Sequence, residues 1–197
     1  SRMAAKVDSA AVQDGFDIYQ HSFFVSSDGE WAVVQQGMRD ADGTARRYHW
    51  LGSRVSDFVN EPHAAIASDA HEQLVLNMVA SESANARTTS TEFARQEPRH
   101  VDREIARVIT LELPRRHWVD VEKDINPAHL RKVLLSTYEA SPRNFEELLA
   151  VPGVGAKAVR ALAMVAEVVY GAPASMKDPA RFSFAHGGKD GHPYPVN

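Results

Sequence analysis

The apolar positions of this chain change rhythm along its length. Val7, Ala10, Ala11 and Ile18 recur at helical spacing, with Asp8 and Ser9 placed to cap, which predicts a first helix over 7–18. Phe23-Phe24-Val25 and Trp31-Ala32-Val33-Val34 flank Asp28-Gly29, a pair suited to the positive backbone angles of a reversing turn, and predict a β-hairpin. A second turn at Asp40-Ala41-Asp42-Gly43 leads to a third strand at Tyr48-His49-Trp50-Leu51. Beyond Pro62 the strand signal fades. Leu74, Val75, Met78 and Val79 predict a helix within 70–83, and the polar run 81–90 reads as a loop. Ile105, Val108 and Ile109 predict a helix over 101–110. Leu130, Val133 and Leu134 predict another over 127–138, with Pro127 in its first turn.

These elements predict an α+β fold: an amino-terminal helix and a small antiparallel sheet, followed by a helical region containing a helix-hairpin-helix. The expected organisation is an α/β region over 1–85 that carries any catalysis, a helical region over 86–178 with its hairpin at 144–170, and a Gly/His-rich tail over 179–197. With 197 residues, 44% hydrophobic and 24% charged, the composition is that of a soluble globular protein, and no apolar run is long enough to cross a bilayer. The absence of cysteine excludes disulfides, zinc-thiolate sites and thiol nucleophiles, and suits a cytoplasmic setting. A formal charge of −4 argues against a uniformly basic surface, though a local basic face remains compatible with it.

The most specific short signal runs from Phe145 to Leu162, where Pro152-Gly153-Val154-Gly155 separates two helical stretches. It resembles the helix-hairpin-helix module of DNA repair and recombination proteins. Gly153 and Gly155 permit a tight turn, and the amides that open the second helix make a cradle for phosphate. Lys157 and Arg160 add cations in its first turns, so Gly153, Val154, Gly155, Lys157 and Arg160 are the expected DNA contacts. Such contacts are made to the sugar-phosphate backbone and carry no base specificity. Arg99, Arg103 and Arg107, followed by Arg115-Arg116-His117, extend a phosphate track or form a solvated helix face.

Candidate chemistry gathers in the amino-terminal third. Lys6, Asp8, Gln13 and Asp14 lie on or beside the first helix, with His21 at its exit, Glu30, Gln35 and Gln36 on the hairpin, and His49 and His63 beyond. Strand alternation puts Trp31, Val33 and Gln35 on one face and Ala32, Val34 and Gln36 on the other, and Gln35 is the residue expected in the site. Lys6, Asp8, Gln13, Asp14, His21, Gln35 and His49 are the candidate catalytic residues. Asp8, Asp14 and His21 are the candidate ligands of Mg²⁺ or Mn²⁺, hard cations that take oxygen donors and activate water for phosphodiester hydrolysis. In the tail, His186, Lys189, Asp190 and His192 on a glycine-rich stretch form a possible anion or metal loop. There is no Walker loop, Gly-x-Ser-x-Gly elbow or dinucleotide fingerprint.

The stretches 6–16, 29–38, Arg46-Arg47-Tyr48-His49-Trp50-Leu51, Glu61-Pro62-His63 and 182–195 together resemble the bacterial and archaeal domain of unknown function 763 family. That resemblance spans essentially the whole chain, with no family motif between Asn77 and Glu97. It implies further chain before Ser1 and after Asn197, and it implies no activity. The function expected from the residues is a metal-dependent DNA nuclease acting on single-stranded or distorted DNA such as junctions, flaps or bubbles. The alternative is a non-catalytic DNA-binding or repair-scaffold protein.

Overall fold

The computed structural model describes residues 1–109 and 127–183. Helix α1 (Arg2–Lys6) runs into a π-helical turn at Val7–Ala11, then into the short strand β1 (Val12–Gln13). Three long strands follow: β2 (Asp17–Val25), β3 (Trp31–Arg39) and β4 (Thr44–Leu51). The Asp28-Gly29 turn closes the first hairpin, with Gly29 at φ 90° and its amide bonded to the Ser26 carbonyl. β5 (Ala65–Ser68) continues the antiparallel order, and β7 (Phe182–Ser183) joins the far edge in parallel, giving the sheet β2-β3-β4-β5-β7. A separate ladder pairs β1 with β6 (Leu76–Asn77).

The rest is helical: α2 (Ala84–Ala94), α3 (Pro98–Ile109), α4 (Pro127–Ala140), α5 (Phe145–Ala150) and α6 (Ala156–Tyr170). One face of the sheet, carrying Val33, Gln35, Arg46, Tyr48, Trp50 and Ile66, is buried, as the alternation of β3 predicts. Ala4, Val7 and Ala11 join the aromatic layer of the sheet to α6, which contributes Val159, Leu162 and Met164, in one continuous core. The fold is thus α+β, with an amino-terminal helix, antiparallel strands and then helices.

Three sequence expectations are corrected. The first helix covers Arg2–Ala11 rather than 7–18, and Ile18 belongs to β2, so Asp8 lies within the helical segment instead of capping it. Residues 70–83 hold no α-helix. Val75, Leu76, Met78 and Val79 are buried on successive positions of an extended segment, a pattern that periodicity does not separate from a helix face. The Asn77 side chain then accepts from the Val79 and Ala80 amides and turns the chain. The polar run 81–90 is mostly helix: small residues Ala86, Ser90 and Ala94 let α2 lie close against α6, while Arg87 donates to the carbonyls of Met78 and Ala80. Tertiary packing overrides a weak local propensity there.

Candidate functional site

In the π turn, Asp8 is carried beneath the sheet and buried. Trp50 Nε1 donates to its Oδ2 at 2.9 Å, and Gln35 Nε2 donates to the same oxygen. Its other oxygen, Oδ1, meets His63 Nε2 at 2.5 Å. Indole and amide nitrogens only donate, so Oδ2 is an acceptor twice over, and the arrangement complements a carboxylate. Committed in this way, Gln35 presents Oε1 to His21 Nδ1 at 2.9 Å. A hydrogen-bonded line therefore runs from His21 on the exposed edge strand through Gln35 and Asp8 to His63. Trp50 fixes the far ring edge-on, with centroids 4.6 Å apart.

Asp14 belongs to a different network. Its Oδ2 accepts from Arg46 Nη1 at 2.9 Å and from the Tyr48 hydroxyl at 2.6 Å, and its Oδ1 accepts from the Phe16 amide. Arg46 also forks onto both oxygens of Asp178 at 2.9 and 2.8 Å. Burial, and then the Asp14 carboxylate, pushes the Tyr48 phenol far above the usual tyrosine range, so it stays a donor.

Two further cluster residues reach the 151–155 bend. Lys6 Nζ donates to the Val154 carbonyl at 2.5 Å, and Gln13 Nε2 donates to the Ala156 carbonyl at 2.8 Å. Arg160 Nε returns a bond to Gln13 Oε1 at 2.7 Å. Burial, with a smaller contribution from Arg2, holds Lys6 below the ordinary lysine range. His49 lies on the opposite face of the sheet, level with Val34 and Ala65. The seven candidates thus divide: Asp8, Gln35 and His21 come together, Lys6 and Gln13 brace the bend, and Asp14 and His49 stand elsewhere. The three candidate metal ligands fall into two separate networks. Among the described residues no group of three or more His, Asp and Glu is placed to share an ion.

The bend itself is a helix, a tight turn and a helix. Asn144 caps α5 by accepting from the Glu147 amide at 2.9 Å. Gly153 takes φ 87°, the left-handed region that favours glycine, and α6 begins after an N-cap, Gly155, that has no side chain to cap it. Pro152, Gly153 and Lys157 are exposed, whereas Val154 is buried with Leu148, Leu149, Ala158 and Leu162. On α3, Arg99, Arg103 and Arg107 are exposed, Arg107 lies 3.9 Å from Glu104, and Asp102 is paired with Arg131 on α4. Arg115, Arg116, His117, His186, Lys189, Asp190 and His192 lie outside the described residues.

A family model described as protein of unknown function (DUF763) matches residues 1–196. The chain belongs to the DUF763 family. No curated protein and no solved structure matches it. Among the described residues of this DUF763 chain, no helix is long and apolar enough to cross a membrane.

Sequence reasoning places His63 in the polar cluster and gives it no role, because 55 positions separate it from Asp8. The signal that could have found it is local: a buried Trp50 indole N–H needs an acceptor, and Asp8 is the carboxylate that supplies it. Nε2 of His63 is committed to Asp8, and the second ring nitrogen is Nδ1. Ser90 Oγ is the only buried side-chain polar atom without a partner among the described residues. Among the described residues no group bonds to His63 Nδ1. His63 lines a cleft of about 520 Å³ beside β5. A carboxylate bound to one nitrogen fixes the orientation of the ring and leaves the other nitrogen to a ligand.

Proposed function

We propose that this DUF763 chain is a DNA-binding protein that grips the sugar-phosphate backbone at the 151–157 bend. The observation that carries the reading is the α6 start: its N-cap, Gly155, supplies no side-chain cap, and Gly153 and Lys157 are exposed beside it. A glycine N-cap, the positive end of a helix of 15 residues and a nearby ammonium suit a phosphate. Lys6 and Gln13 brace the turn from behind, which fixes the cradle before any strand arrives. Fluorescence anisotropy with labelled single-stranded, bubble and duplex oligonucleotides over a salt series tests this. Affinity that falls steeply with salt and varies little with sequence is expected; absence of binding in dilute buffer overturns the reading.

A second reading, metal-dependent cleavage of single-stranded or distorted DNA, is favoured by the convergence of Asp8, Gln35 and His21 on one line. Mg²⁺ or Mn²⁺ would be the cofactor. Cleavage of labelled bubble or flap DNA in either metal, lost in Asp8→Asn, supports it. Binding without cleavage of any substrate leaves the chain a repair scaffold.

A further inference from the structure

The cleft beside β5 is built from segments distant in sequence. Its floor includes Ile66 and Val79, one wall carries Pro179 and Phe182, and Lys177 and Arg181 stand at its mouth. His63 also lines it, and only 7% of that side chain is exposed. Asp8, Trp50 and Gln35 are arranged behind the ring, and none of them lines the opening.

Both cations at the mouth have counter-ions already. Lys177 Nζ lies 2.7 Å from Glu82, and Arg181 lies 3.9 Å from Glu61, a long pair whose side chains are 78% and 50% exposed. Exposed pairs of that length contribute little, so an incoming dianion displaces Glu61 from Arg181 at small cost. Glu61 is held by a bond of its own: its Oε1 accepts from the Ser81 amide at 3.0 Å. The cleft therefore joins apolar and aromatic residues, the fork-shaped Arg181 with a weak competitor and the His63 imidazole; of its other two carboxylates, Glu82 is paired with Lys177 and Asp178 with Arg46.

We propose that this cleft binds a small organic phosphate of mononucleotide size, with its phosphoryl group on Arg181 and Lys177, its ring against Phe182 and Pro179, and a hydrogen bond to His63 Nδ1. The volume is within the range of small-molecule pockets, and an aromatic wall is a stacking surface for a planar base. With Nε2 held by Asp8, Nδ1 is the ring nitrogen left to hydrogen-bond the ligand. The inference goes beyond the DNA reading, because neither the bend nor a metal takes part.

Deoxyadenosine 5′-monophosphate is the probe, titrated into the full chain and followed by the His63 imidazole resonances and by calorimetry. Saturable binding that shifts His63 is expected, weakened about tenfold in Arg181→Gln by removal of a charge-assisted hydrogen bond. Glu61→Gln keeps the acceptor for Ser81 and removes the competing charge, so affinity rises about threefold. A merely structural Glu61 gives no such gain. Lys157→Ala leaves the titration unchanged, which separates this site from the DNA reading. An unmoved His63 at millimolar nucleotide overturns the proposal. So does inorganic phosphate binding as tightly as the nucleotide, since the wall then contributes nothing.

Discussion

Arg46 Nη1 lies 2.9 Å from Asp14 Oδ2, with the two side chains 0% and 1% exposed. The same guanidinium holds Asp178, so one cation ties the turn after β1 to β4 and to the segment leading into β7. A buried charge of this kind is tolerated only because every donor has an acceptor: Ser68 Oγ and the Ala70 carbonyl take the remaining N–H groups. Asp14 is accordingly a structural anchor in this arrangement.

Arg46→Met leaves Asp14 and Asp178 buried without their counter-ion. Denaturant unfolding is expected to show a loss of about 3–5 kcal/mol. Arg46→Lys recovers little, since one ammonium does not reproduce the fork that meets Asp14 and both oxygens of Asp178. A midpoint unchanged in Arg46→Met contradicts the anchoring role.

The bend offers a backbone test. A Cβ on Gly153 meets Val133 Cγ2 at 3.1 Å, and the residue sits at φ 87°. Gly153→Ala is therefore strained twice, by conformation and by its approach to α4, and is expected to lower stability by at least about 1 kcal/mol. Gly155 has open space around it and no positive φ, so Gly155→Ala is mild by comparison. Equal effects of the two changes in thermal unfolding count against this account of the turn.

How much of the fold is legible in the sequence follows from how local each cause is. The β2–β3 hairpin is readable because Asp28-Gly29 states its own turn, and the break between α5 and α6 because Gly153 and Gly155 separate two apolar stripes. Alternation places Gln35 on one face of β3 with Val33, and in the structure both are buried. Helix α2 is not readable, since apart from Phe93 its buried residues are small or polar, Ala86, Arg87, Ser90, Thr91 and Ala94, whose burial no hydropathy pattern announces. The pairing of Asp8 with His63 and of Asp14 with Arg46 depends on strand register across β3, β4 and β5, which is a property of the assembled sheet. The same register sends His49 to the face away from Asp8, although its neighbours in sequence, Tyr48 and Trp50, both face the core.

The DNA reading predicts a specific salt response. Lys157→Ala is expected to weaken oligonucleotide binding uniformly across sequences and to flatten the dependence of log affinity on log salt by about 0.7–0.9 for each phosphate the variant no longer neutralises. Arg160→Ala has a mixed origin, because Arg160 also donates to Gln13 Oε1 behind the bend. Combining Arg160→Ala with Gln13→Ala separates the two: if Arg160 acts only by bracing the turn, the double variant binds no worse than Gln13→Ala alone. Base-selective weakening in Lys157→Ala argues against a backbone grip.

His49 supplies a pH signature that involves no ligand. Burial, and next the charge of Arg47, pushes its imidazole below the ordinary value of 6.5. Above 6.5 the ring is neutral in both the folded and the unfolded chain, and it contributes no pH dependence. As the pH falls below that value, the unfolded chain takes up the proton first, so stability declines until the folded ring is also protonated. The decline is complete below the folded value. Replacing the ring with an amide in His49→Gln removes this component, and chemical denaturation at a series of pH values is expected to show a shallower acid decline for the variant than for the parent chain. Parallel declines would mean that the ring titrates alike in both states, and that its place between Val34 and Ala65 imposes no cost on the charged form.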